Sequence, residues 1–357
     1  MHHLFTRRAS QRVVSASAFV LALASLSGCD SILSGRSEPR EAVMFVRSWE
    51  IGSNNPPSQQ SSDIFLIQAD GTGERNLTQS PAHYAGLTLS PDRRRVAFGS
   101  DRQGGSTIDV WVMGSDGSNL ANLGPGSGPR WSHDGAWIAF KVGAHVAVVR
   151  PDGTGRRELS LPLAGELGCA AGDGFSLAGW QPDGTVGFWR YVCGEGYRFY
   201  TVKVDGTGLA RTDVDLLDRY WSPDHTRLLT GVREREPARV WNADGSGDHA
   251  LVPPTQISKL PSLQSATTET DRTPWSPDSR QLAFLVIDSG CALYAADADG
   301  SGLRQLAPLC GHPSWSVDGT QLVLSMGAVH VVAADGSGAR QLTPSAHKEY
   351  SAMWVAR

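Results

Sequence analysis

The chain has 357 residues, with 32 basic against 36 acidic side chains. Its 40 Gly and 20 Pro, about 17% together against roughly 12% in average usage, argue against helical bundles and long coiled coils. Hydrophobic residues at 40% are too many for a disordered chain, and a formal charge of -4 lacks the basic footprint of a nucleic-acid binder.

Residues 1–28 read as an address. Arg7, Arg8 and Arg12 precede an apolar or small run from Val13 to Leu26, the layout of a secretory signal. Fourteen residues fall short of the roughly 20 needed to span a bilayer. The segment ends Leu26-Ser27-Gly28-Cys29. This resembles the bacterial lipobox, which implies that Cys29 is diacylated and becomes the new N-terminus. The expectation is an exported, membrane-anchored lipoprotein of the cell envelope, on the periplasmic side or at the surface. Residues 29–41 then form a polar, lipidated tether. Without the three signal arginines, 29 basic side chains remain against 36 acidic ones.

The remainder, residues 42–357, is a repeat. One phrase, Trp-Ser-Pro-Asp-Gly or a variant, recurs around Asp92, Asp134, Asp183, Asp224, Asp278 and Asp318, spaced 42, 49, 41, 54 and 40 residues apart. A second phrase, an apolar run followed by Asp-Gly, recurs seven times, at Asp70, Asp116, Asp152, Asp205, Asp244, Asp299 and Asp335. Each period holds four short strands. Strand one ends in Trp and turns through Pro-Asp-Gly, and strand three turns through Asp-Gly, the chemistry of two-residue hairpins. A four-stranded unit of this period is a propeller blade. Strand one occurs once too few, and Tyr350–Val355, carrying Trp354, supplies the missing copy at the C-terminus. The fold class is therefore all-β: a monomeric propeller of seven four-stranded blades, its ring closed by the C-terminal strand, which removes free sheet edges.

These phrases resemble the TolB-like β-propeller repeat over essentially the whole chain after residue 41. The resemblance implies the fold and not the function. TolB itself carries an α/β domain before its propeller. Only about a dozen residues separate Cys29 from the first strand, so TolB's role in the envelope is not implied.

Four cysteines remain after Cys29. In the strand frame, Cys193 and Cys291 lie between strands two and three, while Cys169 and Cys310 lie between strand four and the next blade. Both loop classes leave on one face, so Cys169 is expected to pair with Cys193, and Cys291 with Cys310. Free thiols or a metal site are the alternative, without the close Cys spacing of zinc motifs. The repeated aspartates read as caps of their own turns, and the tryptophans as wedges between blades.

His83, His312 and His347 fall in segments entering strand one, at the mouth of the central channel. Tyr84, Arg219, Tyr220, Arg272 and Tyr350 occupy similar positions. Together they form a candidate binding surface. Some propeller lyases hold a metal with channel histidines, but here the offsets are unequal, so no metal and no cofactor is expected. There is no Gly-x-Ser-x-Gly elbow, His-Glu-x-x-His or phosphate-loop motif. Gly124–Pro129 reads as a loop, and Arg233–Glu236 as a solvated hairpin tip. The longest loops, 48–62, 161–178 and 253–272, share the face of the expected disulfides, which places the working surface there. The function expected is non-catalytic binding of an envelope protein, peptide or glycan. A metal-dependent polysaccharide lyase or hydrolase using the channel histidines is the alternative.

Overall fold

Successive residues of a strand point to opposite faces, so continuous apolar runs such as Val43–Val46 make a sheet greasy on both sides, and such sheets must stack face to face. In the computed structural model they stack as a ring of seven antiparallel blades. The residues described are 41–49, 61–104, 107–159, 175–212, 219–230, 239–251, 274–287, 291–344 and 347–356. All belong to one unit, Pro39–Arg357. The expected signal peptide, Cys29, most of the tether, most of the three long loops, Cys169, Arg272 and Arg233–Glu236 lie outside the described residues.

From the inner strand outward, blade 1 is Lys348–Val355, Ala42–Trp49, Ser61–Gln68 and Arg75–Asn76. Blade 2 is Tyr84–Leu89, Arg95–Ser100, Asp109–Gly114 and Ala121–Pro125. Blade 3 is Ser127–Trp131, Ile138–Val142, His145–Val149 and Arg157–Leu159. Blade 4 is Phe175–Trp180, Val186–Val192, Gly196–Val202 and Ala210–Thr212. Blade 5 is Arg219–Trp221, Arg227–Thr230, Arg239–Asn242 and His249–Ala250. In blade 6 the inner strand is reduced to a bridge between Trp275 and Leu282, followed by Gln281–Ile287, Cys291–Asp297 and Arg304–Ala307. Blade 7 is Ser314–Trp315, Gln321–Ser325, Val329–Ala333 and Arg340–Gln341.

The C-terminal strand closes the ring as expected. Trp354 pairs with Val43 and Val355 with Ala42. Period-two alternation then divides the core. Met44 and Val46 pack with Val96, Phe98 and Met113 of blade 2, while Val43 and Phe45 pack with Val323 and Val331 of blade 7. Similar two-blade clusters join blades 2 and 3, 3 and 4, 5 and 6, and 6 and 7.

The recurrent Trp has a second job besides filling space. The indole N–H of Trp131 donates to the Thr88 carbonyl of the preceding blade at 3.2 Å, and that of Trp180 to the Arg130 carbonyl at 3.0 Å. Trp275 donates likewise to Tyr220 and Trp315 to Pro274, each at 3.0 Å. Each of these tryptophans thus latches its blade to the inner strand of the blade before it.

Two expectations are corrected. The turns are not two-residue hairpins. The Ser132 N–H donates to the Trp137 carbonyl and the Gly135 N–H to Ser132, enclosing four residues, while Gln68 N–H to Thr72 O encloses three. Both forms need a left-handed residue after the Asp, which favours Gly but leaves a wider loop than a primed turn. The stretch Gly124–Pro129 is not a loop either. Ala121–Pro125 is the outer strand of blade 2, Ser127–Trp131 the inner strand of blade 3, and Gly126 alone separates them. A Cβ on Gly126 would lie 2.4 Å from Phe140, so only glycine lets the backbone cross that ring.

Candidate functional site

The turn between strands one and two is built from its own side chains. Ser132 Oγ donates to Asp134 Oδ1 at 2.6 Å and accepts from the Trp137 N–H at 2.9 Å. The same pattern holds at Ser90, Ser222, Ser276 and Ser316. In the second phrase, Asp70 accepts from Thr72 N–H and Oγ1, and Asp116, Asp152, Asp205, Asp244, Asp299 and Asp335 accept from Ser or Thr two residues on. These bonds favour the carboxylate form. Hydrogen bonds from Thr72 and Ser118 hold Asp70 and Asp116 below the ordinary carboxylate value. Asp224 is held down to about 2: its slight burial acts the other way and is outweighed by bonds from Ser222 and Thr226.

An antiparallel meander of four strands delivers both turn types to one face of the ring. On that face a cavity of about 450 Å³ opens where the inner strands of blades 2 to 5 end. Leu89, Pro91, Trp131, Trp180, Trp221 and Pro223 form its apolar wall. Arg130, His133, His225 and Tyr220 supply the polar groups. Arg130 is 6% exposed, and its Nη1 donates to the Pro129 carbonyl at 2.7 Å. The rings of His133 and His225 come from blades 3 and 5 and stand 4.8 Å apart between centroids, inclined at 55°. Desolvation in the wall and the neighbouring His225 hold His133 below the ordinary imidazole value, against the pull of Asp134.

Among the described residues expected at the channel mouth, Tyr220 alone lines this cavity. Tyr84 is not a mouth residue: it is 1% exposed, packs in the core between blades 1 and 2, and donates its hydroxyl to Ser80 O at 2.7 Å. Its ring faces inward because the strand alternation puts it on the core side. His83 N–H bonds Asp101 at 2.8 Å, His347 meets the edge of Trp49 at 6.5 Å, and Tyr350 packs on the blade 1 core. His312 is half-buried before the inner strand of blade 7. Arg219 opens the inner strand of blade 5. Among the described residues, no three His, Cys, Asp or Glu side chains cluster to hold a metal ion. Cys291 and Cys310 form a disulfide with Cα atoms 5.5 Å apart, and Cys193 is also disulfide-bonded.

A second polar cluster, also unforeseen, lies at the ring closure. Arg47 on the second strand of blade 1 reaches Glu349 on the C-terminal strand through Nε at 2.8 Å and Nη2 at 2.6 Å. It also grips Glu74 at 2.6 and 2.9 Å and lies over the rings of Phe45 and Phe65. Thr343 Oγ1 donates to the other oxygen of Glu349. Burial opposes the charge on Arg47, but the bonds to Glu74 and Glu349 outweigh it and raise the guanidinium above its ordinary value. The available signals were an Arg and a Glu inside otherwise apolar strands, and, for the cavity, two histidines standing in turn positions.

No family model and no curated protein matches the chain. Solved structures do. TolB from Acinetobacter baumannii aligns at 12% identity over 89% of this chain and 67% of its own, with a TM-score of 0.46. Oligogalacturonate lyase from Vibrio parahaemolyticus aligns at 12% identity over 84% and 85%, with a TM-score of 0.52. An acylaminoacyl peptidase aligns at 13% identity over 85% of this chain and 51% of its own, with a TM-score of 0.51. At such identities the likeness is one of fold alone.

Proposed function

We propose that the chain is a non-catalytic binding propeller of the bacterial cell envelope, held to a membrane by lipid on Cys29, with a protein partner as its ligand. The observation that carries the binding reading is the cavity between blades 2 and 5. Ligand seats of a few hundred cubic ångströms typically combine apolar walls with a few convergent polar groups, and this one does so with Arg130, His133 and His225. The seat is on the short-turn face, opposite the face that loop length favoured. The envelope location rests on the signal-like N-terminus and Cys29. Two acyl chains would anchor stably where one would not.

Photo-crosslinking in cells tests the reading. A crosslinker at Ala178 on the rim of the cavity should capture one discrete partner, whereas one at Tyr197, an exposed residue of a blade 4 hairpin on the other face, should not. Equal capture at both positions would sink the assignment of the seat. Turnover of substrates in a hydrolase and lyase screen of the purified chain would overturn the non-catalytic reading. Palmitate labelling that persists in Cys29→Ser would overturn the anchor.

A further inference from the structure

The inner strands and their turns are near-copies of one another, so departures from the shared pattern carry information. Two departures are changes of residue. His133 stands where Pro91, Pro182, Pro223 and Pro277 stand in other blades. His225 stands in the slot of Gly135, Gly184 and Gly319 with a φ of +58°, a conformation rare outside glycine. The third departure is a missing bond. In blades 3, 4, 6 and 7 the indole that ends the inner strand donates to one position of the preceding blade, the residue just before its own Trp or Leu89. Those acceptors are the carbonyls of Thr88, Arg130, Tyr220 and Pro274. By that rule Trp221 of blade 5 would donate to Gly179. It does not: among the described residues its indole N–H has no acceptor.

The strand that Trp221 would reach is irregular at that point. In blades 1, 2 and 3 the left-handed residue of the inner strand lies three places before the terminal Trp or Leu, at Ser351, Gly86 and Gly128. In blade 4 it is Gly179, with a φ of +116°, immediately before Trp180, and the pairing register slips between Leu177 and Gly179. The bend falls on the residue whose carbonyl the latch needs. Trp221 is left half-buried in the wall of the cavity of about 450 Å³, which Gly179 also lines.

Several acceptors around it are already engaged. The Arg130 and Tyr220 carbonyls hold indoles, and the Ser132 and Ser222 hydroxyls close their own turns. Trp221 thus presents a donor beside flat apolar surface from Pro91, Trp180 and Pro223. The matching ligand brings a carbonyl and flat apolar faces, and no N–H of its own to bury. A prolyl amide accepts without donating, and its polyproline II conformation is set before binding. Aromatic-lined grooves recognise such segments for that reason.

Resting on the binding-propeller reading, we infer that the cavity seats a proline-rich segment of the partner protein. The Trp221 indole N–H donates to a prolyl carbonyl, and Pro91, Trp180 and Pro223 pack against the pyrrolidine rings.

The probe is acetyl-tetraproline-amide, with acetyl-tetraalanine-amide and cellotetraose as comparisons, titrated calorimetrically into the purified full-length chain. The proline peptide should bind about 10-fold tighter than the alanine peptide, whose amide N–H groups lose their water on entry. Trp221→Phe keeps an aromatic ring and removes the donor. It should weaken binding of the proline peptide about 3- to 10-fold, the worth of one hydrogen bond. Its melting temperature should stay close to the parent's, since no latch is lost. Trp315→Phe is the control: it removes a latched indole N–H in blade 7, and should lower the melting temperature while leaving the affinity unchanged.

Equal affinity for the two peptides, no binding of either, or unchanged affinity in Trp221→Phe would each overturn the inference. A melting temperature lowered as far in Trp221→Phe as in Trp315→Phe would also overturn it, by revealing a latch. Tighter binding of cellotetraose than of the proline peptide would overturn the peptide assignment. A partner crosslinked at Ala178 while the two peptides bind equally would defeat the proline seat and leave the binding reading standing. Absence of any crosslink together with turnover would defeat that reading and this inference with it.

Discussion

The seam of blade 1 and the cavity of blades 2 to 5 both depart from the repeat by placing cationic groups where other blades carry apolar or turn residues. They do so with opposite results. At the seam, Arg47 is enclosed by two carboxylates and two rings, and Glu349 is bonded from both sides by Arg47 and Thr343. Of these three charged groups only Glu74 is exposed. At the cavity, Arg130 and two histidines line open volume instead. A buried charge held by carboxylates specifies how a chain closes, whereas groups lining a cavity border space that a ligand can enter. The difference separates a structural departure from a candidate functional one.

The largest effect tests the seam. Glu349→Ala leaves the Arg47 charge buried with one partner fewer and should cost about 3–5 kcal/mol, read from urea midpoints. The double change Arg47→Met, Glu349→Leu should recover most of that loss. A single variant as stable as the parent would show that the seam does not hold the ring. Next comes the disulfide. Cys291→Ser with Cys310→Ser opens a link across 19 residues and should cost about 3 kcal/mol by loop entropy, measured the same way under oxidising conditions.

Trp180→Phe should cost about 1–3 kcal/mol, since it strands the Arg130 carbonyl that the indole holds. The loss should appear in the melting temperature while the His133–His225 pair is spared. Acid sharpens the contrast further. Asp134, Asp224 and Asp318 have folded values below their unfolded ones, so their stabilisation is full above about pH 4 and fades as pH falls toward about 2, where Asp224 titrates. Urea midpoints that stay flat between these limits would refute the capping role. The smallest effect is at the cavity. His225→Gly relieves a left-handed strain and should leave stability unchanged or raise it by up to about 1 kcal/mol.

The blades were readable because their cause is local and repeated. Trp131-Ser132-His133-Asp134-Gly135 contains its own turn, with the serine, the aspartate and the left-handed residue all within five positions. Ring closure was readable too, since a missing inner strand and an orphan Trp354 imply each other. The seam was not, because Arg47 and Glu349 lie 302 residues apart and no periodicity links them. Tyr84 misled for a related reason: its place before a strand suggested the mouth, but the side-chain alternation turned it into the core. The cavity escaped notice because loop length pointed to the opposite face. His133 and His225 were visible as exceptions to a phrase, yet nothing in the sequence says that exceptions in blades 3 and 5 face each other.

The amino-acid sequence by itself determined the all-β class, the capping of each turn by its own Asp, the number of blades and the element that closes the ring, because each depends on residues within one period or on counting periods. The tertiary structure decided which departures meet. Curving seven sheets into a ring sets the distance between residues of different blades, and that distance placed Arg47 against Glu349 and His133 beside His225.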